Sequence, residues 1–259
     1  MSDGPVRLEH DGPLAILTLA APPLNLFDRT LIAALTQQLQ ALTADPPRGL
    51  LIRAEGRVVS GGVDVRLFDG LTAAQGAALW EQLLELTHTV EALPLPTVFA
   101  AHALCLTAAF ELSLGCDLLL AAEGARFGLV ETVVGLTPAM GGTQRLAERA
   151  GPARARELVM TGALYDAATL ERWNVVNRVL PDEGFAEAAH AFALRLAHGP
   201  TRAHAATKAI VRAQIDGGAR AADAIVPEVA GGLFATDDLE NAVRSFLADG
   251  PGKATFTGT

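Results

Sequence analysis

Two glutamates, Glu111 and Glu131, are the residues of this chain whose surroundings most need a chemical explanation. Glu111 interrupts the long apolar stretch 97–122, and Glu131 directly precedes the apolar run 132–134. Ionised carboxylates are almost never fully buried unless they are paired or used in chemistry. If the fold brings the two together, their repulsion keeps one proton on the pair, so the site holds both an acid and a base.

The segment VVSGGVDV, residues 58–65, can supply the hydrogen-bond donors that proton transfer next to a carbonyl group needs. A Ser-Gly-Gly turn lets the backbone bend sharply and leaves N–H groups facing a cleft. A second donor is expected at Ala108, in the first turn of a predicted helix, where unpaired N–H groups meet the positive end of the helix dipole. Ala108 and Glu111 are three residues apart and share a helix face. One helix can therefore supply both charge stabilisation and a carboxylate.

The elements that must position these groups alternate between strands and helices, which predicts an α/β fold. The apolar patterns predict strands at 6–9, 14–19, 50–54, 97–101, 118–121 and 175–179. They predict helices at 28–44, from Thr72 to about Leu93, and at 108–115, and a mostly helical chain after about residue 151. A boundary is expected near Pro200, and the final segment, 249–259, is expected to be ordered only if it docks on another element.

Composition excludes several classes of function. The chain has 259 residues, of which 50% are hydrophobic, and a net charge of −9. The 20 basic residues are scattered, which argues against nucleic-acid binding. The only cysteines, Cys105 and Cys116, have neither metal-site nor disulfide spacing, and the N-terminus has no signal-peptide pattern. We therefore expect a cytoplasmic protein without a metal site, a membrane span or a nucleic-acid partner.

Three segments carry a resemblance to a known family. VVSGGVDV, AAFELSLGCDLLLA and FGLVETVVGLTPAMGGTQRL resemble the signature regions of the enoyl-CoA hydratase/isomerase (crotonase) superfamily. PPLNLF near the start and GKATFTG at the end extend the likeness over nearly the whole chain. The resemblance implies a crotonase-like spiral of repeated ββα units at 1–199 and a C-terminal α-helical oligomerisation region at 200–259. It also implies a homotrimer or a dimer of trimers.

The same resemblance implies reversible hydration of a 2-enoyl-CoA thioester to a 3-hydroxyacyl-CoA, without a cofactor, since coenzyme A is part of the substrate. Glu111 would activate water and Glu131 would protonate the α-carbon. The N–H groups of Val63 and Ala108 would form the oxyanion hole, and the amide of Ala139 would help to hold the water. The residues implied in coenzyme A binding are Leu24, Asn25, Ser60, Gly62, Asp64, Arg66 and Lys253.

Some positions depart from the family pattern, and other interpretations stay open. Thr107, Ala108, Ala109 and Ala139 stand where the family has glycines, so an altered substrate preference is expected. One alternative is a double-bond isomerase that uses Glu131 alone. Another is an acyl-CoA-binding family member with weak catalysis. Glu131 could also be an exposed residue of an edge strand, and Glu111 a structural carboxylate.

Overall fold

The computed structural model describes residues 4–259 and is built around a six-stranded mixed sheet. The strands of the described chain are β1 (Val6–Asp11), β2 (Leu14–Leu19), β3 (Gly49–Ala54), β4 (Thr97–Ala101), β5 (Cys105–Leu106), β6 (Leu118–Ala122), β7 (Arg126–Gly128), β8 (Tyr165–Asp166) and β9 (Arg178–Leu180). The large sheet has the order β1-β2-β3-β4-β6-β9, and a small second sheet has the order β5-β7-β8.

Helices surround these sheets. They are α1 (Arg29–Ala44), α2 (Ala73–Ala92), α3 (Thr107–Leu114), α4 (Gly142–Ala150), α5 (Pro152–Thr161), α6 (Ala167–Arg172), α7 (Phe185–Ala197), α8 (Thr201–Gly231) and α9 (Asp237–Asp249). Short 3₁₀ helices lie at Val65–Phe68, Glu131–Val134 and Gly232–Ala235. None of the helices in residues 4–259 combines the length and the apolar character needed to cross a membrane.

The large sheet is parallel except for its first hairpin. β1 and β2 are antiparallel across Gly12, whose φ of 55° suits the tight turn, and every later pairing in this sheet is parallel. All residues of β2 and β4 are buried, which explains why these strands are apolar except for Thr18 and Thr97. Helix α7 packs on this sheet, and a side chain at Gly49 would come within 2.8 Å of Ala197.

The helix starts follow local capping signals. The Asp28 side chain accepts a hydrogen bond from the Leu31 N–H at 2.8 Å and so caps α1, and Thr72 and Gln75 form the predicted capping box of α2. The apolar stripe predicted for α1 is buried as expected, at Leu31, Leu35, Leu39 and Leu42. The sequence pattern therefore gave the type and face of these helices correctly.

The small sheet places α3, the helix that carries Glu111. β5 runs parallel to β7 and ends at Leu106, directly before Thr107, the first residue of α3. Every residue of α3 is buried, so this short helix passes through the core. Because β5 leads into α3 without an intervening residue, the small sheet fixes where α3 begins.

One predicted strand, 175–179, is wrong in most of its length. Val175 and Val176 are buried, but their N–H groups donate to the Leu170 carbonyl at 2.9 and 3.2 Å and so close the end of α6. The strand begins only at Arg178, which pairs with Leu120 of β6. The apolar character of this pair indicated burial correctly, but it did not distinguish a strand from a helix end.

The C-terminal part is helical, as predicted. Helix α8 starts directly after Pro200, and its backbone leaves helical geometry at Gly218, where φ is 75°. The division into 1–199 and 200–259 thus falls on a helix start, and the division itself stays a prediction. The final segment docks on α9: the buried Asp238 carboxylate accepts from the N–H groups of Thr257 and Gly258 at 2.7 and 2.9 Å.

The docking of the C-terminus on Asp238 can be tested by Asp238→Ala. Loss of two hydrogen bonds to a charged group should free the last residues, because bonds of this kind contribute about 1.5–3 kcal/mol each. Hydrogen exchange of residues 254–259 should become at least about tenfold faster by mass spectrometry. Asp237→Ala is the matched control, since Asp237 is exposed in the same first turn of α9. Equal exchange in both variants would contradict the docking role.

Candidate active site

Glu111 is held by the loop that precedes α4. The side chain lies in the buried helix α3 and is 2% exposed. Its Oε2 accepts hydrogen bonds from the N–H groups of Met140 and Gly142, both at 2.8 Å. The N–H of Ala139 also stabilises the carboxylate. A carboxylate at the N-terminus of α4 is further favoured by the helix dipole.

Two glycines make this arrangement possible. A side chain at Gly142 would come within 2.6 Å of Glu111 Cγ, so only glycine lets the amide approach the carboxylate. Gly141 has a φ of 95°, and its carbonyl accepts from Arg145 Nη1 at 3.3 Å.

Arg145 is buried and also binds the Glu91 carboxylate through Nε and Nη2, at 3.2 and 2.5 Å. Arg212 of α8 binds the same carboxylate of Glu91 at 3.1 Å.

Glu131 is the first residue of a 3₁₀ helix, so the edge-strand interpretation is wrong. Its Oε2 is buried and finds no hydrogen-bond partner among residues 4–259. Burial and, to a lesser extent, repulsion by Glu111 raise the pKa of Glu131 to about 8. The two carboxylates therefore lie close enough to interact.

The two acids differ in acidity for a physical reason. Burial raises the pKa of Glu111 to about 7, while the amides of Gly142, Met140 and Ala139 oppose this shift. Within residues 4–259, no such donor reaches the buried oxygen of Glu131. Glu111 is therefore the more easily ionised of the two, and Glu131 is the one that keeps a proton. A pair that holds one proton offers one base and one acid.

Val63 lies in a short extended segment that pairs with Phe27. On the side of the segment that faces Phe27, the Phe27 N–H donates to the Gly62 carbonyl at 2.9 Å, and the Asp64 N–H donates to the Phe27 carbonyl at 3.2 Å. The alternation of an extended chain turns the Val63 N–H to the opposite side, toward α3. There it donates to Thr107 Oγ1 at 3.2 Å. The Val63 N–H thus faces the first turn of α3 but is already paired.

Ala108 is the second residue of α3 and is fully buried. Its N–H belongs to the first helical turn, where backbone donors have no intrahelical acceptor. Thr107 precedes it with a φ of 44°, which is unusual for a β-branched residue. Thr107 Oγ1 lies so close to Gly62 that a side chain at Gly62 would come within 2.1 Å of it. The sequence indicated that Thr107 replaces a glycine, but it assigned the side chain no role.

Hydrogen bonds tie the loop around Asn25 to the loop that carries Val63. The Asn25 side chain accepts from the Ala21 N–H at 2.7 Å and donates to the carbonyls of Glu55, Val58 and Val59. Ser60 Oγ donates to the Asn25 carbonyl at 2.7 Å and accepts from the Gly62 N–H at 3.0 Å. Both side chains are buried and engaged within the protein. They position the Val63 segment, and any contact with coenzyme A from these residues would come from backbone atoms.

The other residues implied in coenzyme A binding lie at the surface or beside it. Leu24 is 45% exposed, and its carbonyl accepts from the Gly61 N–H at 2.8 Å. Arg66 is exposed, and its Nε and Nη2 bind the Asp64 carboxylate at 2.6 to 2.9 Å. The Arg66 guanidinium lowers the pKa of Asp64. Lys253 is exposed after α9, and no hydrogen bond within residues 4–259 ties it to the other predicted site residues.

A separate cavity of about 750 Å³ lies on the other side of α3, against α8. Its lining includes Leu114 and Cys116 at the end of α3 and Lys208 of α8, but none of the predicted site residues. Lys208 and Asp117 of this lining form an ion pair, with Lys208 Nζ at 2.9 Å from the carboxylate. The carboxylates therefore face a different region from this cavity.

The family model for enoyl-CoA hydratase/isomerase matches residues 9–257. The chain therefore belongs to the enoyl-CoA hydratase/isomerase family. The match includes both glutamates, the 58–65 loop and the C-terminal helices, so the family covers the whole site described above. The α/β fold and the helical C-terminal region predicted from the sequence are confirmed.

Individual family members are similar over the full chain. A probable enoyl-CoA hydratase of Rhizobium meliloti (strain 1021) is 30% identical over 250 residues, which cover 96% of each protein. The crystal structure of an enoyl-CoA hydratase subunit from Geobacillus kaustophilus HTA426 is 29% identical, covers 100% of both chains and has a TM-score of 0.92. A putative enoyl-CoA hydratase from Streptomyces coelicolor A3(2) is 28% identical with a TM-score of 0.92, and the match covers 98% of this chain and 94% of that one.

The raised pKa of Glu131 predicts a pH dependence of stability. An acid whose folded-state pKa, about 8, exceeds its usual value of 4.5 weakens the fold as the pH rises between these values. Glu131→Gln should therefore raise the free energy of unfolding relative to wild type at pH 9, on the order of 2 kcal/mol, and much less at pH 5.

Urea unfolding at pH 5 and pH 9 measures this difference. Glu81→Gln is the control, because Glu81 is exposed on α2. We expect this variant to keep the pH dependence of the wild type. If Glu131→Gln changes the free energy of unfolding equally at both pH values, the site does not shift the pKa of Glu131.

Proposed function

We propose that this protein catalyses the reversible addition of water to the double bond of a 2-enoyl-CoA thioester, which gives a 3-hydroxyacyl-CoA. The observation that carries the proposal is the Glu111–Glu131 pair, in which burial holds both pKa values near neutrality. In the proposal, the backbone donors of the first turn of α3 would point at the same substrate as the pair. Hydration needs an acid, a base and hydrogen-bond donors to the thioester oxygen.

The thioester oxygen would lie against the first turn of α3. On one side it would accept from the Ala108 N–H, and on the other it would face Val63 and the Thr107 hydroxyl bonded to it. As water adds to C3, charge develops on this oxygen as in an enolate. Removal of one donor from such an oxyanion hole lowers kcat by about 10²–10³.

The proton transfers follow from the order of the two pKa values. Ionised Glu111 would take one proton from water while the water oxygen bonds to C3 and the π electrons move toward the thioester. Protonated Glu131 would then give its proton to C2, which completes the addition. Afterwards the proton on Glu111 would return to Glu131, the weaker acid of the two. The pair is thus reset without a cofactor.

Recognition of coenzyme A would involve Leu24, Gly62, Arg66 and Lys253. Arg66 binds Asp64 through Nε and Nη2, so Nη1 of its exposed guanidinium would be the group that meets a phosphate. Lys253 would reach the coenzyme A of a neighbouring subunit. The proposal places the amide of Ala139 next to the attacking water, since this amide already faces Glu111.

Glu111→Gln separates hydration from double-bond isomerisation. The rate of crotonyl-CoA hydration should fall by about 10²–10⁴ because the base is lost. This rate is measured by the decrease in the absorbance of the enoyl thioester. Isomerisation of a 3-enoyl-CoA through Glu131 should largely survive in the same variant.

Glu131→Gln serves as the comparison, because it should lower both reactions. If Glu111→Gln lowers the rates of hydration and isomerisation equally, Glu111 has no separate role in hydration. The variant would then not distinguish a hydratase from an isomerase. Unchanged hydration in this variant would overturn the proposed mechanism.

We further propose a cytoplasmic homotrimer or dimer of trimers, assembled through the C-terminal helices. In support, α9 exposes Val243, Phe246 and Leu247 on one helix face, and Phe234 just before α9 is 84% exposed. Both cysteines are free and buried, which suits a reducing compartment.

Light scattering tests the assembly. A protein of 26.9 kDa per chain should show three or six times this mass. Phe246→Asp should dissociate the assembly, since it places a charge in the apolar face. Asn241→Asp on the exposed surface of α9 adds the same charge and should leave the mass unchanged. A monomeric wild type would contradict the assembly and the role given to Lys253.

A further inference from the structure

The hydroxyl of Thr107 is bonded to one backbone donor of the proposed oxyanion hole and lies one residue before the other. Its Oγ1 accepts the Val63 N–H at 3.2 Å, and the next residue along the chain is Ala108, the second donor. Thr107 is 7% exposed, so this hydroxyl lies in a largely buried position. No substrate oxygen can lie where Oγ1 already lies.

A threonine hydroxyl has two acceptor sites and one donor hydrogen. By accepting from Val63, Oγ1 uses one acceptor site and keeps its own hydrogen for another partner. A hydroxyl that accepts a hydrogen bond is also a better donor, because consecutive hydrogen bonds polarise one another. The Val63 N–H therefore strengthens the hydroxyl as a donor and orients it away from Val63.

We propose that the Thr107 hydroxyl, oriented by the Val63 N–H, donates the hydrogen bond to the thioester oxygen on this side of the oxyanion hole. This inference rests on the proposed acyl-CoA chemistry of the site. It replaces one direct backbone donor with a relay from N–H to hydroxyl to substrate oxygen. The oxygen then lies one hydrogen bond, roughly 2.7 Å, farther from Val63 than a direct contact would place it.

The backbone of Thr107 supports a role for the side chain. At a φ of 44°, a β-branched residue is strained, whereas glycine adopts this conformation without cost. Such strain persists where the surrounding structure determines it, and it concentrates at functional positions. Here the strain holds Oγ1 between Val63 and the cleft. Gly62 provides the matching space, since a side chain at Gly62 would overlap the hydroxyl.

Three substitutions test the relay. Thr107→Ser keeps the hydroxyl, Thr107→Val keeps the shape without the hydroxyl, and Thr107→Gly removes both. Thermal unfolding confirms that each variant is folded. The first readout is kcat for hydration of crotonyl-CoA. The second is the apparent pKa of bound acetoacetyl-CoA, which is measured from the absorbance of its enolate. An oxyanion hole stabilises this enolate, and no reaction step at the glutamates is involved.

The relay predicts that Thr107→Ser stays within about threefold of the wild type in kcat. Thr107→Val should lose about 100-fold in kcat and raise the apparent pKa of the bound ligand by about two units, the equivalent of that loss. Thr107→Gly should not exceed the wild type. Thr87→Val is the matched control, because the Thr87 hydroxyl is buried without a partner in the described chain and lies outside the site.

Two results would overturn the relay. A Thr107→Val variant equal to the wild type in both readouts would mean that the hydroxyl does not contact the substrate. A Thr107→Gly variant at least tenfold faster than the wild type would mean that the hydroxyl obstructs the hole. If the wild type binds acetoacetyl-CoA as the enolate but hydrates no enoyl-CoA, the hydratase proposal fails and the enolate readout still decides the relay. A wild type that neither hydrates crotonyl-CoA nor binds acetoacetyl-CoA as the enolate refutes both.

Discussion

The burial of two carboxylates in one cleft is the constraint on which this site depends. Each ionised form is costly away from water, and the two charges repel. The fold lowers the cost for Glu111 with amides at the start of α4, whereas no donor within the described residues reaches the buried oxygen of Glu131. The asymmetry assigns the proton, because the unsupported acid keeps it. The start of α4, which packs against Glu111 of α3, produces this difference.

The sequence indicated which carboxylate needs a partner, but not the contacts that support it. Glu111 could be identified because a carboxylate in an apolar stretch needs a partner, and the stripe of α1 because its period is helical. The contacts of Met140 and Gly142 with Glu111 could not be predicted, since they depend on how a loop folds back on a distant helix. Gly141-Gly142 before a helix was the available signal for this cradle.

Other misses have a similar cause. Asn25 links two loops because its side chain binds three carbonyls that lie 30, 33 and 34 positions further along the chain. Val175 and Val176 were expected in a strand because apolar pairs look alike in strands and at helix ends. In each case the side-chain type indicated burial, while the partner was decided by tertiary packing that no local pattern records.

Glu91 gives the molecule a shared counter-charge. Its carboxylate binds Arg145, which fixes the loop beneath Glu111, and Arg212 of α8, which belongs to the C-terminal helices. Neutralisation of this one acid would leave Arg145 without its carboxylate partner, while Arg212 would keep its pairing with Asp216. The loop that supports Glu111 and the packing of α8 share this one counter-charge. A single side chain therefore links the surroundings of Glu111 to a helix of the C-terminal region.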